Sequence, residues 1–599
     1  MAYPLHIARA TRQLGAKAAL VGMLGLAVTL LAPYQTQSSP LLRGEAGPPD
    51  GQHSLALAAA PSGQAALRKH DAPILLDGHS LTIPQVVKIA REETPVVIAS
   101  AALERVEQSF ALVLAANQQG LPIYGLNRGV GLNKDQTILS GPLDDETRRL
   151  SERFNGSNLR TTSAGVGPEV PEDQVRATML IRLNTMLAGQ SGAQPRVAEL
   201  YRDFLNHRIH PILPSRASVG EADITILSHI GLAMMGEEEV IYAGRRMPAA
   251  DALAEAGLAP LVPFGKDSLA IMSSNAYAAA IATMAAYDAA HLLDMAVRVF
   301  ALSLEGLNGN VAPFLPAAHA VRPYGAQGKA AAAILAELEG SYLWQVSAER
   351  ALQDPLSFRT ASQVFGAADE ALATLQDRLL VQLNTSDDNP AVIPWIVPPP
   401  GAGTQVDAYY VNGGTVYGAV IPTANFEPLL WVLPLQSLNV ALNHVSRASA
   451  ARTTRLGTPE FTHLSRFLAP DDVTLAYSAI QKVYGVLDAE NQALSRPVST
   501  DFLPLAGDIE DTATNAASAA RNSLWMIDNL YYMLGIELMH AAQAVDLRSR
   551  AAPGLSLGRG TAPLLAAFRQ GVPFLDADRP LTRDIAKAYG FLRGPQRYD

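Results

Sequence analysis

The chain has 599 residues, of which 48% are hydrophobic and 17% charged, with a net charge of −10 and no cysteine. That composition fits a globular protein with a large core and excludes disorder. The acidic balance, with no basic run to neutralise phosphates, excludes nucleic acid as a partner. The lack of cysteine excludes disulfides, thiolate nucleophiles and cysteine-based metal sites, and no metal site is expected.

In chain order, Arg9, Arg12 and Lys17 precede an uncharged apolar run, AALVGMLGLAVTLLA, over 18–32. A basic segment followed by an apolar stretch of about 7–15 residues has the layout of a secretory signal. A permanent span needs about 20 apolar residues, so no stable membrane span is expected after processing. Residues 1–32 therefore read as a signal peptide, with a short signal anchor as the alternative, and the mature protein as periplasmic or secreted. No clean small-x-small cleavage pattern follows directly; ALAAA stands further on, at 56–60. Residues 33–72, rich in Pro, Gly, Ser and Ala without a sustained period, read as a flexible linker.

From Pro73 onward the pattern is continuous and mostly helical, consistent with one domain over 73–599. A loop-rich part runs to about 210, a central helical bundle spans about 210–550, and a C-terminal tail follows. The stretch 101–120 places Leu103, Val106, Phe110 and Val113 at three- and four-residue steps and stops at Gly120. Two long segments, 275–306 and 516–545, are apolar nearly all round and predict buried helices. The stretch DAYYVNGGTVYGAV at 407–420 predicts one hairpin around its Gly-Gly turn. The fold class is mainly α.

Loops between long helices are where chemistry sits, and six stretches are distinctive: IYGLNRGVG (123–131), SVGEADITILSHIGLAMMGE (218–237), FGKDSLAIMSSN (264–275), LQDPLSFRTASQVFG (352–366), LNTSDDNP (383–390) and GDIEDTATN (507–515). In order and spacing, they resemble the histidine/phenylalanine/tyrosine ammonia-lyase family across about residues 74–550. The resemblance implies an all-α fold and a homotetramer whose sites are shared between subunits. It also implies a carbon–nitrogen lyase acting on a small amino-acid-like substrate. In that family an Ala-Ser-Gly tripeptide cyclises, losing two waters, to the electrophile methylidene-imidazolone (MIO). This chain reads Ser218-Val219-Gly220-Glu221-Ala222-Asp223, one residue shorter, with Glu221-Ala222 in place of the tripeptide. The cyclisation needs a serine hydroxyl to eliminate and a glycine nitrogen free to close the ring. MIO is therefore not expected, and no other cofactor is.

By the resemblance, Tyr124 is the base, Arg359 clamps the substrate carboxylate, and Gln363, Asn389, Glu510, Asn127 and Phe426 stand at family site positions. Departures cluster nearby: Arg128 in the tyrosine loop, Ser273, Leu356 and Glu427 each replace a different family residue. Local readings compete with functional ones. Glu221 is either a helix cap or a functional acid. Glu510 with Asp511 fits a helix-terminal acidic pair, and Arg359 fits an ion-pair partner of Asp354 or Asp387. His229 reads as a satisfied core histidine.

Without MIO, elimination is feasible when the leaving group is already cationic and departs neutral, as from a betaine. Glu221, Glu427 and Glu510 would then surround the amine end, while Arg359, Arg128 and Lys266 hold an anionic end. Arg128 and Arg359 are expected to stabilise the Tyr124 phenolate. The alternatives are an isomerase or cyclase of natural-product metabolism in the same pocket, and an exported, non-catalytic binding protein.

Overall fold

The alanine-rich run predicted over 275–306 is a single helix, Ala276–Leu307, buried along almost its whole length. We analysed a computed structural model, which describes residues 72–594 apart from 142–143, 413–415 and 501. The segment read as signal, and all of the linker but its last residue, Ala72, lie outside the described residues.

Around the 276–307 helix pack Ala516–Ala551, Leu429–Leu456, Ala361–Leu383 and Glu172–Leu187. Small alanines line the central helix, so its neighbours approach closely and bury it on every side. The same stretch is long and apolar enough to cross a membrane, yet it is buried inside the protein.

One buried charge fixes the relative register of three of these helices. Glu537 on the 516–551 helix accepts hydrogen bonds from Arg452 Nε at 2.6 Å and Nη2 at 2.9 Å. Ser449 on the same helix as Arg452 donates at 2.6 Å, and Ser303 on the central helix at 2.9 Å. A buried ion pair is tolerated when the remaining lone pairs are satisfied in this way.

The strands are short and peripheral. Tyr410–Val411 and Gly418–Ile421 pair antiparallel, as the hairpin reading required, and Ala391–Pro394 adds an unforeseen third strand on the other edge. The Gly-Gly turn lies outside the described residues. Ile209–Pro211, Glu239–Tyr242 and Arg245–Pro248 form a second antiparallel sheet. The predicted tail needs correction: helices Thr561–Gly571 and Thr582–Arg593 pack back on the bundle. Their buried faces, Leu564, Phe568, Ala588 and Leu592, are spaced by four.

Candidate active site

The predicted tyrosine loop leaves the helix Ser100–Gln118 through Gly120 in the left-handed region, at φ +77°. Asn127 then pins the loop to the helix end. Its Oδ1 accepts the Ile123 N–H at 2.7 Å, and its Nδ2 donates to Asn117 Oδ1 at 2.9 Å and to the Leu121 carbonyl at 2.8 Å. Gly125 has φ +73°, and a Cβ there would stand 2.3 Å from Leu269 Cδ2. Only glycine lets the backbone lie this close, which holds Tyr124 at the wall of a cavity of about 740 Å3.

The Tyr124 hydroxyl accepts the Gly131 N–H at 2.8 Å. Burial pushes its pKa above the ordinary 10, opposed by the Gly131 hydrogen bond and reinforced by the charge of Glu510. The expected stabilisation by Arg128 and Arg359 therefore does not operate within the single chain; the resting residue is a phenol.

The shortened segment forms a second wall. Ser218 Oγ donates to Asp223 Oδ1 at 2.5 Å and accepts the Gly220 N–H at 3.1 Å. Asp223 Oδ2 accepts the Ala278 N–H at 2.9 Å, tying the segment to the start of the central helix. Burial lifts the Asp223 pKa to about 6 against these hydrogen bonds. The Val219 carbonyl accepts N–H groups from Asn515 at 2.7 Å and Thr514 at 3.2 Å. Gly220 has φ +90°, and a Cβ there would meet Thr514 Oγ1 at 2.3 Å. Ala222 also lies in the left-handed region, at φ 59°, a conformation that costs a non-glycine residue about 1–2 kcal/mol. Glu221 and Ala222 both face the cavity.

Glu221 is not the helix cap: the N-cap of Ile224–Met234 is Asp223. Glu427, expected in the site, is not in the cavity wall; its Oε1 accepts the Leu429 N–H at 3.0 Å, and its charge bears on the Glu221 carboxyl. Burial, then the charge and hydrogen bond of Glu427, then the charge of Glu510, push Glu221 up to about 8. Its Oε1 is buried with no hydrogen-bond partner. Glu510 is not a helix-terminal residue either. It bridges Leu505 through two backbone hydrogen bonds, ahead of the N-cap Asn515.

Tyr124, Arg128, Glu221, Asn389, Phe426 and Glu510 thus line one cavity. Ser273 is also in the wall, and its Oγ accepts the Asn389 N–H at 3.3 Å, while Asn389 Oδ1 accepts the Thr423 N–H at 3.0 Å. Sequence reasoning missed Tyr409 and Lys134, which also face the cavity. Lys134 sits three residues past Gly131 and was within reach of a loop argument; Tyr409 arrives only through the sheet.

Other expected site residues stand elsewhere. Lys266 is fully buried, donating to the Ser191 carbonyl at 3.1 Å and ion-paired with Asp388, which also holds Arg182 at 2.5 Å. It is a core charge rather than a substrate ligand. Asn127 spends its amide on the loop. Arg359 and Gln363 are not in the wall of this chain's cavity. Arg359 Nη1 donates to Gln353 Oε1 at 2.7 Å, its Nε is buried without a partner, and its charge bears on Asp354. Asp387 is instead engaged by Ser274, Gln382 and Arg182. His229 is not satisfied: its Nε2 is buried without a partner, and burial lowers its pKa.

A helical bundle that presents a loop tyrosine, a shortened serine–glycine segment and several carboxyls to one cavity has the architecture of an amino acid lyase. The aromatic amino acid lyase family matches residues 81–570, and the chain belongs to it. Histidine ammonia-lyase of Geobacillus thermodenitrificans (strain NG80-2) is 33% identical over 524 residues, covering 87% of this chain and 97% of the relative. That of Myxococcus xanthus (strain DK1622) is 33% identical over 516 residues, covering 86% and 95%. Among solved structures, ergothionase from Treponema denticola, an ergothioneine-degrading enzyme in complex with desmethyl-ergothioneine sulfonic acid, is 40% identical with a TM-score of 0.78. It covers 87% of this chain and 99% of its own. Tyrosine aminomutase from Streptomyces globisporus is 27% identical with a TM-score of 0.76, covering 87% and 97%. The protein is a carbon–nitrogen lyase-like enzyme of that family.

Proposed function

We propose that the protein is an MIO-independent carbon–nitrogen lyase that releases a tertiary amine from a betaine-like, histidine-type amino acid. One observation carries this reading: Glu221-Ala222 lies in the wall of the cavity that holds Tyr124. The residues present do not fit MIO. Neither Glu221 nor Ala222 offers a hydroxyl to eliminate, and Gly220 is the only glycine in the segment. The 40% identity to a protein that degrades ergothioneine supports a quaternary ammonium substrate.

In the proposed reaction the Tyr124 phenolate takes the β-proton, the electron pair forms the Cα–Cβ double bond, and the C–N bond breaks. The pair goes to nitrogen, so a trialkylammonium departs as a neutral amine and leaves an acrylate. The resting phenol must ionise first. A substrate cation beside Glu510 offsets the carboxylate charge that disfavours phenolate.

Arg359 supplies the carboxylate clamp from a neighbouring subunit in this reading, with Gln363 beside it. A homotetramer is supported by the exposed apolar stripe Leu430, Leu433 and Val440 on the 429–456 helix. Export is proposed from the N-terminal sequence alone.

The test is a screen of histidine, phenylalanine and their N-trimethyl betaines, with and without a ring thiol, for an ultraviolet-absorbing acrylate and free amine. Turnover of a betaine and not of the parent amino acid is expected. Tight binding without acrylate would instead favour the binding-protein alternative.

A further inference from the structure

We propose that Arg128 and Lys134 form an anion subsite that reads a second acidic group, carried on the side chain of the substrate. That the ligand is a substrate rests on the lyase reading above; the subsite itself rests on the loop that carries the two cations.

That loop closes on itself. The Arg128 N–H donates to the Ile123 carbonyl at 3.1 Å, and the Arg128 carbonyl accepts the Gly125 N–H at 3.1 Å. Arg128 also bridges Thr137, and the Gly129 N–H donates to the Gln136 carbonyl at 3.0 Å. Lys134 lies in the span closed by these contacts, and Arg128, Gly131 and Lys134 all face the cavity. The loop that fixes Tyr124 therefore fixes two positive charges in the same wall.

Neither charge is spent inside the protein. The Arg128 guanidinium makes one hydrogen bond, from Nη1 to the Asn127 carbonyl at 3.2 Å, and among the described residues no carboxylate pairs with it. A guanidinium carries several N–H donors in a fixed fork, so most of them remain for a ligand. Lys134 is paired with its neighbour Asp135, their side chains 45% and 86% exposed. Such an exposed pair is weak and gives way to a better-placed anion.

The two cations also stand apart from the reacting end. Burial, the Gly131 hydrogen bond and the charge of Glu510 set the acidity of Tyr124, and burial, Glu427 and Glu510 set that of Glu221; neither Arg128 nor Lys134 contributes to either. The cavity is thus divided, with the base and the acids at one end and the positive charges at the other. In the proposed reaction Arg359 of a neighbouring subunit holds the α-carboxylate, while the amine and the β-carbon lie by the acids and Tyr124. What reaches the far end is the tip of the side chain. A neutral ring there would leave both cations without a partner. A ring bearing a carboxylate, sulfinate or sulfonate would pair with them, and the planar guanidinium suits such oxyanions in a two-pronged contact.

The probes are imidazolylpropionate and its ring-sulfonated analogue, which differ by one anionic group and carry no amine to eliminate. Each is titrated into the full protein by calorimetry. The sulfonated probe should bind roughly 10–100-fold more tightly, the scale of a hydrogen bond to a charged group. Arg128→Met should remove most of that preference, and Arg128→Lys should keep part of it, because the charge remains without the fork. A role confined to holding the loop, or to clamping the α-carboxylate, would instead weaken both probes alike. Equal affinity of the wild type for the two probes, or an undiminished preference in the Arg128→Met, Lys134→Met double variant, would overturn the proposal. Turnover of a betaine alongside equal probe affinities would sink only the subsite. A preference for the sulfonated probe without turnover of any betaine would sink only the lyase reading.

Discussion

The Tyr124 hydroxyl accepts the Gly131 N–H at 2.8 Å, so the two ends of the tyrosine loop are closed on each other by the residue that the family uses as its base. This bond is the main influence holding the phenol's acidity up against burial. It also fixes the ring at the cavity wall before substrate arrives.

Replacing Tyr124 with Phe should lower turnover by roughly 10²-fold or more, the usual scale for a general base. Affinity for the substrate, measured by calorimetry, should change little, because the ring remains. Because the phenol's acidity is weakened in the empty site, kcat/KM of the wild type should climb with pH through the alkaline range. Full activity in Tyr124→Phe would remove Tyr124 from the chemistry.

Arg359→Ala should weaken substrate binding roughly 10–100-fold by stripping a charged hydrogen-bond partner from the carboxylate. Because Arg359 is absent from its own chain's cavity, co-expressing Arg359→Ala with Tyr124→Phe chains should restore measurable activity. Mixed oligomers without activity would place both residues in one subunit's site.

The intact mass of the purified chain should equal its unmodified sequence from whatever residue it begins. A deficit of two waters localised by peptide mapping to residues 218–223 would show that cyclisation occurs despite Glu221-Ala222.

The stability of the protein should carry a signature of Glu221. Its folded-state pKa of about 8 lies above the ordinary 4.5, so the folded protein holds this proton more tightly than the unfolded chain. The associated stability is present at low pH and is lost as pH rises from about 4.5 towards 8. Thermal unfolding of Glu221→Gln should therefore compare more favourably with wild type at pH 8.5 than at pH 5. Parallel curves for the two proteins would contradict this.

Lys266→Met should destabilise the fold by on the order of 3–5 kcal/mol, since Asp388 would lose one of two buried cations. Unfolding should move to lower denaturant concentration, with ligand affinity kept in the protein that remains folded.

The sequence by itself determined the all-helical bundle, because long alanine- and leucine-rich runs such as 275–306 and 516–545 have only one way to hide an apolar surface on every side. It also determined the family and the loss of the Ala-Ser-Gly tripeptide, since six ordered motifs and a two-residue substitution are read along the chain. What only the tertiary structure decided is which polar residues face the cavity. Lys266 and Asn127 lie within site loops, yet Asp388, 122 positions on, and Asn117, at the end of the preceding helix, claim their polar atoms first. Glu221 and Glu427 are 206 positions apart; the resemblance puts both at the amine end, but how strongly their charges couple is not written in either motif. Charge–charge coupling depends on separation in space and on the exclusion of water, and both are set by packing rather than by local pattern. The raised pKa of Glu221 therefore belongs only to the folded chain.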